Sequence, residues 1–309
     1  MHVHNDGARA RGSTAAASER RLALVLGLTT LYLLAEVAGA LLTNSLALLA
    51  DAAHMLIDAF GLGMALLAIR FAQRPATPAK TYGFYRAEVL AALVNSVVLL
   101  GIGGYILYEA WHRFQVPPAV HPLPMLAIAA GGLGVNLLGA WLLHAGAQAS
   151  LNVRGAFLET LSDLLSSLGV VVAAAIIALT GWWPADPLIS LLIALFIVPR
   201  AWHLLRSALD VLLEATPSHL SVERVAAAIQ EVPGVTAVHD LHIWTITSGF
   251  LAMSAHIVAE RRSSEVLHDV RALLRQRFGI EHTTLQVERP DHADDGACCT
   301  MDPRCYTLS

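Results

Sequence analysis

The sequence predicts an α-helical membrane protein with six transmembrane helices, followed by a small cytoplasmic α+β domain. Three observations carry this. Of 309 residues, 56% are hydrophobic and 14% charged, with a mean hydropathy of +0.58, far from an ordinary soluble composition. Apolar stretches long enough to cross a bilayer, about 20 residues each, recur along the first two thirds of the chain. Beyond Leu213 the pattern turns to the shorter periods of a soluble domain.

The six expected spans are Leu22–Leu42, Leu46–Phe71, Val89–Trp111, Leu123–Leu143, Phe157–Leu179 and Leu188–Leu213. The stretch before Arg20 is polar and small, with no apolar core followed by a cleavage-like site, so the first span itself is expected to direct insertion. Lysine and arginine gather on one side of these spans: before the first, between Arg70 and Arg86, at Arg154 and at Arg206. The other side receives only Arg113. The positive-inside rule then places both termini in the cytoplasm. The net charge of −4 gives no reason to expect a nucleic-acid partner.

After the last span, Ser221 is a helix cap before an amphipathic Val222–Gln230. Val235–Ile246 and Phe250–Val258 are strands joined through Thr247-Ser248-Gly249, a hairpin signal. Ser264–Phe278 reads as a helix stopped by Gly279, and Thr283–Glu288 alternates as a strand. The order is αββαβ. The resulting domains are a flexible N-terminal tail (1–20), a transmembrane domain (21–214), a cytoplasmic domain (215–290) and a tail (291–309) that holds Cys298, Cys299 and Cys305. Cytoplasmic thiols stay reduced, so Cys298 and Cys299 are candidate metal ligands rather than disulfide partners.

The chemistry lies inside the spans. His54 and Asp58 stand one turn apart in the second, and Glu159 and Asp163 one turn apart in the fifth. Each pair shares a helix face. An ionisable group at the bilayer centre costs roughly 3 kcal/mol even on lenient scales, which makes it a functional residue by default. At 1.5 Å per residue, Asp58 lies about 18 Å below the outer start of its helix and Asp163 roughly 16 Å above the inner start of its own. Both therefore reach the middle. One imidazole and three carboxylates suit tetrahedral Zn²⁺ better than Ca²⁺ or Mg²⁺, and the lack of intramembrane thiols argues against Cu(I). These ligands bind metal only when deprotonated, so protons compete with it and can drive exchange. Asp51, three residues before His54, is either an exit-side relay, an auxiliary ligand, or a solvated residue near a helix end. No organic cofactor is called for.

Four ordered motifs resemble the cation diffusion facilitator family of zinc and related heavy-metal exporters: Ser45–Met55 with Asp58, Thr81–Val89, Ser150–Ala156 and Val238–Trp244. The resemblance spans roughly residues 20 to 290. It implies a bacterial cytoplasmic-membrane homodimer that exchanges cytoplasmic Zn²⁺ for protons, with Cd²⁺, Co²⁺ or Mn²⁺ as alternative cargo. It also implies a ferredoxin-like cytoplasmic domain with regulatory metal at His239, His256 and His268, and a charge lock of Arg86 with Asp210 and Glu214. His282 reads as structural. Zinc-selective relatives usually carry His where this chain has Glu159, which hardens the site. Gln286 stands where some members have His. A membrane-anchored metal sensor does not explain intramembrane ligands, and a metalloenzyme lacks a His-Glu-x-x-His motif or a paired nucleophile.

Overall fold

The computed structural model describes residues 6–56, 59–60, 77–147, 151–247, 249–260 and 262–290. These fall into two compact units, one drawn from within 1–66 and 94–204, the other from within 67–93 and 205–309. Each is described by itself.

The first unit is helical. Helix α1 spans Asp6–Thr43, α2 is described over Leu46–Leu56, and α3 covers Arg86–Gln115. Helices α4, α5 and α6 cover Pro122–Ala147, Leu151–Thr180 and Ala185–Leu212. Five of these hold apolar stretches of 20 to 30 residues, long enough to cross a bilayer, and α2 is the shorter apolar piece. The expected spans thus reappear as helices, most of them a few residues longer at their ends. Beyond Leu56 only Ala59 and Phe60 of the expected second span are described, both helical, and the rest of it lies outside the described residues. Helix α1 begins at Asp6, well before the expected Leu22, because the alanines, arginines and Glu19 of the N-terminal stretch are good helix formers.

Packing follows membrane rules. Contacts are dense where side chains are small: Ala47, Ala50, Ala129, Ala173, Ala174 and Ala194 are buried beside Leu46, Leu99, Met125 and Ile197. Large apolar residues face outward instead; Leu41, Trp141 and Phe196 are each more than 70% exposed. In water such faces would aggregate, whereas hydrocarbon solvates them.

The second unit contains the soluble domain. Helix α7 (Val222–Gln230) is capped as expected, with the Ser221 hydroxyl accepting from the Arg224 amide at 3.3 Å. Strands β1 (Val235–Thr247) and β2 (Phe250–Ala259) form the expected antiparallel hairpin. Helix α8 (Ser263–Leu273) runs into a π-helical turn, Leu274–Phe278, and stops at Gly279, whose φ of +67° is the left-handed cap conformation. The chain then returns as β3 (His282–Glu288), parallel to β2. A parallel pair needs a crossover, and α8 supplies it. Val225, Ile229, Ile243, Met253, Ile257 and Val270 fill the core between helices and sheet.

Candidate metal-transport site

Helices α2 and α5 bring their charged faces together. His54 Nε2 lies 3.4 Å from Asp163 Oδ1, both largely shielded from solvent. Asp58 lies outside the described residues. Glu159 occupies α5 one turn before Asp163. A cavity of about 410 Å³ opens beside His54, with Ser162, Ser166, Ile193, Phe196 and Arg200 among its walls. An imidazole and a carboxylate at this distance can share a proton, or both turn to one cation.

Asp51 is 1% exposed, so the solvated reading is excluded. Its carboxylate accepts from the hydroxyls of Ser166 and, at 3.0 Å, Ser167. Asn136 on α4 donates to Ser167 at 3.2 Å. Glu36 of α1 belongs to the same buried group, with the Tyr32 hydroxyl 3.3 Å from its Oε1. Tyr32 fits here because Gly132 has no Cβ to collide with its hydroxyl.

A second buried carboxylate that sequence reasoning missed holds the start of α2. Asp186, at the first turn of α6 and 0% exposed, accepts from the Ser45 hydroxyl at 2.6 Å and from the amides of Leu46 and Ala47 at 2.9 and 3.1 Å. It caps one helix from another. Arg113 Nη1 stands 3.7 Å from Asp186 and donates at 2.7 Å to the carbonyl of Asn44. Asn44 takes a φ of +58° to turn the chain from α1 into α2. The lone cation of the expected outer side is therefore committed to the turn that launches the metal-bearing helix.

In the second unit, His239, His256 and Glu288 present ligand atoms within 4.8 Å of one another. His256 Nδ1 is 2.8 Å and His239 Nε2 3.5 Å from the Glu288 carboxylate. Register explains this: His239 pairs with His256 across β1 and β2, and β3 runs parallel to bring Glu288 beside Val258. His268 lies on α8 and is not part of the cluster; Glu288 takes the third place. Asp240, at φ +50° in a bulge of β1, hydrogen-bonds His242 at 3.0 Å. The other oxygen of Asp240 stands 3.8 Å from His256 Nε2. Gln286 donates to Glu288 at 2.8 Å, holding the carboxylate.

Arg86 pairs with Glu214 at 2.7 Å, and Asp210 is not its partner. Both groups of that pair are well exposed, so it contributes little stability by itself. His282 meets Tyr82 edge to face with ring centres 5.5 Å apart, in agreement with its structural reading. Cys298 and Cys299 lie outside the described residues.

Lipid-facing helices around a buried His–carboxylate pair define an integral membrane cation carrier. The cation efflux transmembrane domain family matches residues 22–213, and the cytoplasmic domain of cation efflux proteins matches residues 217–290. The chain belongs to this family, the cation diffusion facilitators, and is a transporter rather than an enzyme. It is 46% identical over 274 residues to the cation efflux system protein CzcD of Alcaligenes sp. strain CT14, covering 88% of this chain and 87% of the relative. It is 39% identical over 303 residues to the cadmium, cobalt and zinc/H(+)-K(+) antiporter of Bacillus subtilis strain 168, covering 96% and 94%. With the zinc transporter ZitB of Escherichia coli K12 it shares 41% over 280 residues, covering 89% and 90%.

Proposed function

We propose that this chain exports divalent heavy-metal ions, Zn²⁺ first, from the cytoplasm in exchange for protons, through a site made by His54, Asp58, Glu159 and Asp163. The observation that carries the reading is the meeting of His54 and Asp163 at 3.4 Å between two apolar helices. The relatives named for zinc transport, and for cadmium, cobalt and zinc antiport, support it. Cytoplasmic zinc binds the deprotonated imidazole and carboxylates; protons from the outer side then compete for the same atoms and release it outward. The third carboxylate, Glu159, widens the cargo toward Cd²⁺, Co²⁺ or Mn²⁺ relative to a two-histidine site.

The domain division is 21–214 for transport and 215–290 for regulation, flanked by the tails 1–20 and 291–309, with both termini cytoplasmic in a bacterial inner membrane. Two copies form a homodimer through the cytoplasmic domain. His239 and His256 supply one nitrogen each and Glu288 a carboxylate, a donor set that suits Zn²⁺ with a fourth position open. Uptake of Zn²⁺, Cd²⁺, Co²⁺ and Mn²⁺ into proteoliposomes, with and without an imposed pH gradient, tests the reading. Zinc uptake that ignores the gradient would exclude antiport.

A further inference from the structure

Glu36 is the only Asp, Glu, Lys, Arg or His between Leu22 and Thr43. It is 0% exposed, yet nothing in the proposed metal site accounts for it. Its Oε1 shares the single hydrogen of Tyr32 with the carbonyl of Ile128, at 3.3 and 2.9 Å respectively. Its Oε2 is buried without a hydroxyl or amide donor among the described residues. Tyr32 and Leu33 of α1 pack against Ala52 and Met55 of α2, so the helix turns that carry Glu36 and Asp51 lie side by side, and each carboxyl acts electrostatically on the other. Asp51 in turn uses both oxygens to accept from Ser166 and Ser167.

Among the described residues, the groups facing this pair are few. On α1 there is Tyr32, on α2 His54, on α5 Asp163 with Ser166 and Ser167, and on α4 the neutral Asn136. No lysine or arginine pairs with either acid among the described residues. Two neighbouring carboxylates, both ionised and both out of water, would repel each other and lose their hydration, with only the hydroxyls of Tyr32, Ser166 and Ser167 to offset it and no cation. One proton shared between them removes that cost and supplies the donor that Glu36 Oε2 lacks. The pair also has a way out: Ser166, which donates to Asp51, lines the cavity that His54 faces.

We propose that Glu36 and Asp51 form a proton-binding site separate from the metal ligands, which loads and unloads through the Ser166 hydroxyl. A proton arriving in the cavity is taken up at the Ser166 oxygen as that hydroxyl releases its own hydrogen to Asp51. The Glu36–Asp51 pair passes from one negative charge to none, and the reverse step returns it. The pair thereby carries part of the counter-flow in the proposed antiport, on which this inference rests.

The experiment uses the full-length protein in proteoliposomes with Zn²⁺ as probe and an internal pH dye. In Glu36→Gln and Asp51→Asn, zinc uptake driven by a pH gradient should fall at least about tenfold, and its pH dependence should flatten. Zinc–zinc exchange at equal pH, which needs no net proton movement, should persist, as should equilibrium zinc binding by calorimetry. Glu36→Asp should restore gradient-driven uptake. A Glu36→Gln protein with the wild-type pH profile overturns the proposal. So does loss of exchange and zinc binding along with uptake, because that is the signature of a structural clamp. Wild-type uptake indifferent to pH would instead remove the antiport reading itself.

Discussion

His54 and Asp163 come from different helices and meet at 3.4 Å, and each is expensive to place in hydrocarbon unless the other, or an ion, offsets it. Asp163→Ala removes a ligand and leaves His54 without that partner. Zinc uptake by this variant should fall on the order of 100-fold or more, since even indirect changes around a metal cost about 10–100-fold. Proteoliposome uptake beside a size-exclusion profile checks that the loss is not misfolding. Glu159→His tests selectivity at the same scale. Exchanging a carboxylate for an imidazole favours zinc over manganese, so Zn²⁺ uptake should persist while any Mn²⁺ uptake is lost. An unchanged metal ratio would mean that Glu159 does not touch the cargo. The meeting of His54 and Asp163 was legible in the sequence because paired charges one turn apart inside an apolar run are too costly in hydrocarbon to be incidental. Glu36 and Asp186 were not. A single acid in or beside an apolar helix carries no period, and its partners, Asp51 in one case and Ser45 with Arg113 in the other, are distant in the chain. Glu288 lies between these cases: Gln286 marked the strand, but only the parallel register of β3 brings the next same-face residue to the histidines.

Helix α2 depends on other elements at its outer end. Its first amides are satisfied by Asp186 of α6, and the turn before it is gripped by Arg113 of α3. Asp186→Ala would leave the amides of Leu46 and Ala47 without their acceptor in a buried setting, while Arg113 keeps Glu109 and Asn44. Leaving a buried amide without its acceptor costs about 1–3 kcal/mol each, whereas Ser45→Ala, which removes one hydroxyl, should cost about 1 kcal/mol. Unfolding in detergent, followed by helical circular dichroism, should rank the two variants in that order. Equal destabilisation would show that Asp186 acts through Ser45 alone. At this scale the sequence was most informative about what each element is. Hydropathy located every described span, and the Ser221 cap and the Gly279 stop bounded their helices correctly. Element ends were less legible, because end residues such as Arg86 and Asp186 are held by contacts rather than by apolar pattern.

The whole molecule is proposed to carry two metal-ligand sets of different chemistry, one in each compact unit. The membrane set is proposed as cargo site and the cytoplasmic set as regulator, so their occupancies should separate by mutation. In equilibrium dialysis the wild type should retain about two zinc ions per chain, His256→Ala about one, and His256→Ala with Asp163→Ala close to none. Acid should act on both sets in the same direction. Imidazole and carboxylate must lose their protons to bind zinc, so retention falls as pH drops. The cytoplasmic set leans on two imidazoles, while the membrane set is proposed to have one imidazole beside three carboxylates. Release of the zinc remaining in Asp163→Ala should therefore depend more steeply on pH than release of the zinc remaining in His256→Ala, because protons compete for two imidazoles in the first case and for one in the second. Identical release curves for the two variants would mean that one of the sets is wrongly composed. Glu288 would be the first residue to replace in that case, since it is the ligand that only the folded sheet reveals.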